Sequence, residues 1–241
     1  MLITSVNNDK IKKLVKLKDK KYRDSNNFFF IEGLDLVKEA YKNNKLLELY
    51  ILDGYDNIID FKNVTYVSKE VMKKISDMES ITPYYGVCKK INNNNIGDRL
   101  ILLDNIQDPG NLGTIIRSAV AFNFDTVVIS DDSVDLYNPK VIRSTKGMIF
   151  NINIMIVKLN EFIDTLSDYK VYGTSVVNGK NIKDVEIPKK CAFIIGNEGH
   201  GISKEISDKC NDFIYIKMNK KCESLNAGVS ASIIMYEVDN K

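Results

Sequence analysis

The sequence predicts an α/β protein in two parts: a small N-terminal α/β domain, then a mostly parallel sheet covered by helices. Three observations predict it. From residue 99 onward, apolar strand-like runs alternate regularly with segments of helical spacing. Before residue 89 the same alternation runs in shorter, less regular pieces. Between them lies "KKINNNNIGD", residues 89–98, whose four asparagines have nothing apolar to bury and read as a linker. The expected domains are therefore residues 1–95 and 96–241.

In the first part, Ile11, Leu14 and Val15 keep helical spacing, with lysines on the other face. "NFFFIEG" reads as a short buried strand ending in a turn. "LDLVKEAYKNN" is a helix, "LLELYIL" and "VTYVS" are strands, and "KEVMKKISDM" is a helix. In the second part the expected strands are "RLILLD", "DTVVIS", "NINIMIV", "KVYGTS", "CAFIIG" and "FIYIKM". Helices are expected on the Leu112, Ile115, Ile116, Ala119 and Val120 stripe, on "PKVIRSTKG", on "LNEFIDTL", and over residues 224–237. Ligands of such sheets bind outside the carboxyl ends of the strands, so the loops there are the place to search.

Bulk composition narrows the field. Of the 241 residues 27% are charged and 44% apolar, as in ordinary globular proteins. No apolar run approaches the roughly 20 residues that span a bilayer, and no secretory apolar core stands at the N-terminus. Cys88, Cys191, Cys210 and Cys222 are scattered, without CxxC spacing. Neither a zinc cluster nor a disulfide framework is expected, and a cytoplasmic location fits. The net charge is only +2, but eight basic residues crowd residues 10–23 against one acid, Asp19. That run is either a polyanion-binding surface or a solvated helix face.

Three loops carry the candidate chemistry. "IIGNEGHGIS", residues 194–203, follows an apolar strand with three glycines in six residues. Its order is neither the dinucleotide fingerprint nor a Walker loop. His200, the one histidine, has too few neighbouring ligands for a zinc shell and is expected on the loop surface. The glycines could admit a flat group such as an adenine to the backbone, with Glu198 aimed into the site. An ordinary turn with a solvated Glu198 is the alternative.

"DNIQDPGNLGTIIRSA", residues 104–119, joins a strand to a helix, and Asn111 is expected as the N-cap. Arg117 lies off the apolar stripe, one turn beyond Gly113. It reads either as facing a bound group or as a solvated surface arginine. "IKMNKKCESLNAGVSASI", residues 216–233, is a strand, a lysine-rich loop and a helix opening at Ser224. Its small residues (Ala227, Gly228, Ser230, Ala231, Ser232) suit close packing against another backbone, either a threaded segment or a partner subunit.

These three loops, in this order, resemble the signature motifs of the SpoU (TrmH-like) group of SPOUT RNA methyltransferases. The stretch "KIKKLVKLKDKKYRDSNNFFFIEGLDLVKEA" is similar to the ribosomal-protein-L30-like substrate-binding domain that often precedes them. The resemblance implies an S-adenosylmethionine-dependent ribose 2′-O-methyltransferase for structured RNA. It also implies a deep trefoil knot near the C-terminus and a homodimer formed through the C-terminal domain, with neither membrane nor metal. The implied cofactor contacts are Thr174, Gly196, Ile216, Met218 and Leu225. The implied catalytic group is Arg117, Asn111, Glu198, Ser224 and Asn226.

Three positions depart from the family pattern. Lys217 replaces a common proline, Asn123 a glycine, and Ala227-Gly228 a Val-Ser or Ala-Ser pair. By analogy with L30-like domains the expected substrate is ribosomal RNA. The alternatives are a transfer RNA methyltransferase, a non-catalytic RNA-binding protein of the same fold and, more remotely, an NAD-dependent enzyme. A guanidinium with a pKa of about 12.5 or more is a poor base. Arg117 is therefore expected to bind phosphate and stabilise the developing alkoxide.

Overall fold

The computed structural model describes residues 2–91, 95–176 and 178–241. Three of the four linker asparagines lie outside these. The chain divides into two compact units, Met1–Ile91 with Asp135–Asn151, and Asn92–Val134 with Ile152–Lys241.

The first unit opens with β1 (Leu2–Ile3), α1 (Asp9–Lys16), α2 (Lys20–Asn26) and β2 (Phe28–Glu32). It continues through α3 (Leu34–Lys42), β3 (Leu46–Leu52), β4 (Val64–Val67), α4 (Lys69–Ile75) and β5 (Tyr84–Lys89). The sheet order is β1-β4-β3-β5-β2, with β5 antiparallel to both its neighbours. Ile11 and Leu14 of α1 join Val71, Met72 and Ile75 of α4 in the core. The basic run is two helices, broken where Asp19 caps α2 by accepting from the Tyr22 amide.

That break divides the charges of residues 10–23. Arg23 is turned inward at 3% exposure, donating to the carbonyls of Leu17 (2.9 Å) and Lys18 (2.8 Å) and pairing with Asp135. Lys18 donates to the Lys74 and Ser76 carbonyls, closing the end of α4. Lys10 pairs with Glu48 at 3.2 Å. Lys13, Lys16, Lys20 and Lys21 remain on the surface. The run is thus part architecture and part exposed charge.

The second unit begins with β6 (Arg99–Leu103), α5 (Pro109–Ala121) and β7 (Thr126–Ser130). The next segment, Asp135–Asn151 with α6 (Pro139–Ser144), belongs to the first unit. The reason is apolar: the Tyr137 ring lies 4.7 Å from that of Phe29, and Phe150 stacks on Phe29 from the far side of the segment. Tyr137 also accepts the Ile91 amide at 2.8 Å, and Arg143 pairs with Asp77 at 3.3 Å. A cut at residue 95 alone therefore does not separate the two units.

The chain then adds β8 (Asn153–Val157), α7 (Leu159–Ile163), β9 (Lys170–Thr174), β10 (Lys180–Asn181) and β11 (Cys191–Ile195). It ends with α8 (Lys204–Ser207), β12 (Asp212–Tyr215) and α9 (Ala227–Asp239). Among the described residues the sheet has seven strands in the order β10-β12-β9-β11-β6-β7-β8, every neighbouring pair parallel. From β6 the chain winds outward through β7 and β8, then returns to build the other side. The order reverses between β6 and β11, which makes their carboxyl ends the switch point where ligands of such sheets bind.

Candidate active site

Two of the three sequence loops leave the strands at this switch point. Leu103 and Ile195 are register partners at the ends of β6 and β11, and the Asp104 amide donates to the Ile195 carbonyl at 2.9 Å. Beyond them the loops are tied by side chains. Buried Asp104 accepts the Ser203 amide at 2.7 Å. Asn197 donates to the Asn105 carbonyl (2.8 Å) and to its side-chain oxygen (3.0 Å). Asn105 in turn donates to Asp132 at 2.6 Å, joining the loop after β7. Burial works to raise the Asp132 carboxyl, and the Ser130 and Asn105 donors outweigh it, so it lies below the usual range.

Glu198 holds the start of α5. Its carboxylate accepts the Asn111 side-chain Nδ2–H at 2.8 Å and the backbone N–H groups of Gln107 and Asp108, each at 3.3 Å. A carboxylate among the first N–H groups of a helix satisfies orphan donors and meets the positive end of the dipole. Burial pushes this carboxyl up, but Asn111 and the three backbone donors prevail and its pKa is lowered. It is an exposed carboxylate that also serves as an acceptor shared by two loops.

Two expectations need correction here. The cap of α5 is Asp108, which accepts the Asn111 amide at 2.8 Å, so Asn111 sits inside the first turn and its side chain is free to reach Glu198. Pro109 at the first helical position favours this earlier start. Helix α9 begins at Ala227 with Asn226 as its cap, accepting the Val229 amide at 3.2 Å. Ser224 and Leu225 therefore belong to the loop. Gly196 has a further reason to be bare: a Cβ there would fall 2.2 Å from the Gly201 carbonyl carbon and 2.3 Å from the Ile202 nitrogen. The bareness of Gly196 serves the loop's own closure, in which Asn197 and Gly201 exchange backbone hydrogen bonds at 2.9 Å.

The small residues of α9 find their partner within the same chain, on α5. Gly228 lies against Thr114, where a Cβ would stand 3.3 Å from the Thr114 side chain. Ser232 and Ser118 hydroxyls meet at 2.8 Å.

A cleft of about 800 Å³ opens beside these loops. Thr174, Gly196, Ile216, Met218 and Leu225 line it, as do Glu198, Ser224 and Asn226. Asn111 and Arg117 are absent from the described lining; Asn111 stands behind Glu198, and Arg117 is exposed on α5. The Thr174 hydroxyl is engaged with the Ile194 carbonyl at 2.8 Å, so it braces β9 against β11. His200 is exposed at the rim, its amide donating to Asn197, and no metal-binding group of His, Cys, Asp or Glu exists among the described residues.

The chemistry of the lining is selective. Ile195, Phe213, Ile216, Met218 and Leu225 supply apolar walls, and Glu198 is the one carboxylate. No lysine or arginine is among the described lining residues. A dinucleotide would leave its pyrophosphate without a counter-charge here, whereas a flat nucleoside bearing a positive group suits the walls and the carboxylate.

Comparison with known proteins decides the family. The model described as the SpoU rRNA Methylase family matches residues 98–236, more than half of the chain. The chain belongs to the SpoU rRNA methylase family. A second model, an MRM3-like substrate binding domain, matches residues 8–83. One relative of this SpoU chain is the 23S rRNA (guanosine(2553)-2′-O)-methyltransferase RlmP of Bacillus subtilis, 34% identical and covering 98% of each chain. Among solved structures, an RNA 2′-O ribose methyltransferase is 26% identical with a TM-score of 0.84, covering 98% of this chain and 97% of its own. An AdoMet-bound rRNA methyltransferase from Sinorhizobium meliloti shares the fold, with a TM-score of 0.88 at 24% identity. It covers 100% of this SpoU chain and 97% of its own.

Sequence reading missed Asp104, Asn105, Asn197 and Asp132, which tie the loops together. Asn105 adopts a left-handed φ of 57°, and its residue type, which tolerates that region better than most, was the one trace of this in the sequence.

Proposed function

We propose that this chain is an S-adenosylmethionine-dependent RNA ribose 2′-O-methyltransferase acting on ribosomal RNA in the cytoplasm. The observation that carries the reading is the cleft at the carboxyl ends of β9, β11 and β12, walled by the family's second and third motif loops and free of basic side chains in its described lining. Similarity to RlmP over nearly the full chain supports the ribosomal substrate.

Thr174, Gly196, Ile216, Met218 and Leu225 would hold the cofactor, which when bound supplies a sulfonium methyl group. Ser224 and Asn226, at the cleft mouth, orient the acceptor ribose. Glu198 and Asn111 fix the two loops against each other, setting the geometry in which the hydroxyl meets the methyl. Arg117 binds the neighbouring phosphate and stabilises the negative charge that develops on the acceptor oxygen. Because Arg117 stands outside the described lining of its own chain's cleft, the reading includes a homodimer through the C-terminal domain that brings Arg117 to a second copy's cleft. Exposed Val229 and Tyr236 on α9 support that face as the contact. A trefoil knot in residues 96–241, and RNA binding by residues 1–95, complete the proposal.

The test is methyl incorporation from labelled cofactor into an unmodified 23S rRNA transcript, followed by mapping of the 2′-O-methyl position. Arg117→Lys retains charge but loses the planar fork, and turnover should fall roughly 10²-fold, the scale of one lost transition-state donor. Absence of transfer to any RNA by the wild-type chain would sink the reading.

A further inference from the structure

The loop between β12 and α9 has two faces of opposite character. Ile216, Met218, Ser224 and Leu225 line the cleft. Lys217, between the first two, is exposed, and so are Lys220 and Lys221. The last two occupy the central positions of a turn closed by the Cys222 amide on the Asn219 carbonyl at 3.0 Å. The Asn219 side chain accepts the Lys221 amide at 2.9 Å, which fixes that tip.

None of the three ammonium groups has a hydrogen-bonded or ionic partner among the described residues. In the N-terminal basic run Lys10, Lys18 and Arg23 are engaged within their own unit, while Lys13, Lys20 and Lys21 are exposed. Glu223 is the single acid of the loop, against three lysines.

We propose that Lys217, Lys220 and Lys221 form a phosphate clamp that seats the RNA strand flanking the acceptor nucleotide over the cleft. The inference rests on the functional reading above and adds to it the element that positions the substrate at the transfer site. Cations are missing from the described cleft lining and stand exposed on the loop that supplies part of that lining, so nucleoside and phosphate chemistry fall on different residues of one loop. Lysines suit a strand held by its backbone: they are flexible point charges that position without reading sequence. Ser224 and Asn226 follow on the same loop, so a strand gripped at Lys217, Lys220 and Lys221 reaches them within a few residues.

The experiment compares the wild type with a Lys217→Gln/Lys220→Gln/Lys221→Gln chain and the corresponding triple Lys→Arg chain. RNA affinity is measured on an unmodified 23S rRNA transcript across a salt series, with cofactor affinity measured separately as a check of folding. The glutamine chain should bind RNA roughly tenfold or more weakly at low salt, and its log–log salt slope should be shallower by about 2, near 0.7 per lost single-strand contact. The arginine chain should keep the wild-type slope. An unchanged slope and affinity in the glutamine chain, with the wild type binding and methylating RNA, would overturn the clamp alone. A wild type that methylates no RNA would instead overturn the functional reading beneath it.

Discussion

Asn111 and Glu198, 87 residues apart in the chain, meet at 2.8 Å and join the first turn of α5 to the loop after β11. The contact fastens two motif loops to each other beside the cleft.

Replacing Glu198 should loosen that junction. Its carboxyl is held below the ordinary value, so the stabilisation is complete above the unfolded pKa and disappears as pH falls through the lower folded one. Glu198→Gln should cost about 0.5–1 kcal/mol at neutral pH, since solvent screens this exposed carboxylate and weakens its hydrogen bonds. Thermal melts against pH should show the two chains converging well below about pH 4. A constant gap at all pH values would contradict the ionised role.

A methyl group at Gly196 has nowhere to go. Gly196→Ala would place a carbon 2.2 Å from the Gly201 backbone, so the Asn197–Gly201 pairing must open. The expected result is a loss of about 1–3 kcal/mol, the usual cost of overpacking, with cofactor affinity falling more than tenfold. Calorimetry gives both numbers, and normal binding by a well-folded Gly196→Ala chain would refute it.

Asp135 links the β7–β8 connection to the first unit through buried Arg23. Removing one partner of a buried pair leaves an unpaired charge, so Asp135→Asn should destabilise by about 3–5 kcal/mol. For the same reason a chain beginning at residue 98 should aggregate, because the rings of Tyr137 and Phe150 lose Phe29. Size-exclusion chromatography of that truncation checks this; a well-behaved species with unchanged melting would count against it.

Cys222 is a convenient reporter. It is exposed, and its near neighbours Ser224 and Leu225 line the cleft. The other thiols are resistant through burial, which raises Cys88, pushes Cys191 up to about 12 and pushes Cys210 up to about 11. Iodoacetamide at neutral pH should modify Cys222 first, and S-adenosylmethionine should slow it several-fold through occupancy of the cleft. Peptide mapping after timed quenching reads this, and labelling indifferent to the cofactor would place its binding elsewhere.

Local pattern by itself determined much of this protein. "LLELYIL" is β3 from end to end, and the apolar runs of the second unit became β6, β7, β8, β9, β11 and β12 within a few residues. Period and apolar content are properties of neighbours in the chain, and strands buried on both faces leave a strong trace of them. The motif loops were visible for the same reason, being glycine-rich or lysine-rich breaks between such runs. Fainter elements were lost: α2 is short and polar, and β5 carries Gly86 and Cys88 where a clear alternation would be.

Tertiary structure alone decided the pairings. Whether Arg23 meets RNA or the interior depended on Asp135, 112 residues away, and Asp104 found Ser203 only because β6 and β11 are neighbours. A buried polar group must take a partner from whatever the fold brings within about 3 Å, and that choice is not written in local sequence. The sequence placed the loops. The fold turned Glu198 into their fastener and Gly196 into the space that lets the loop close.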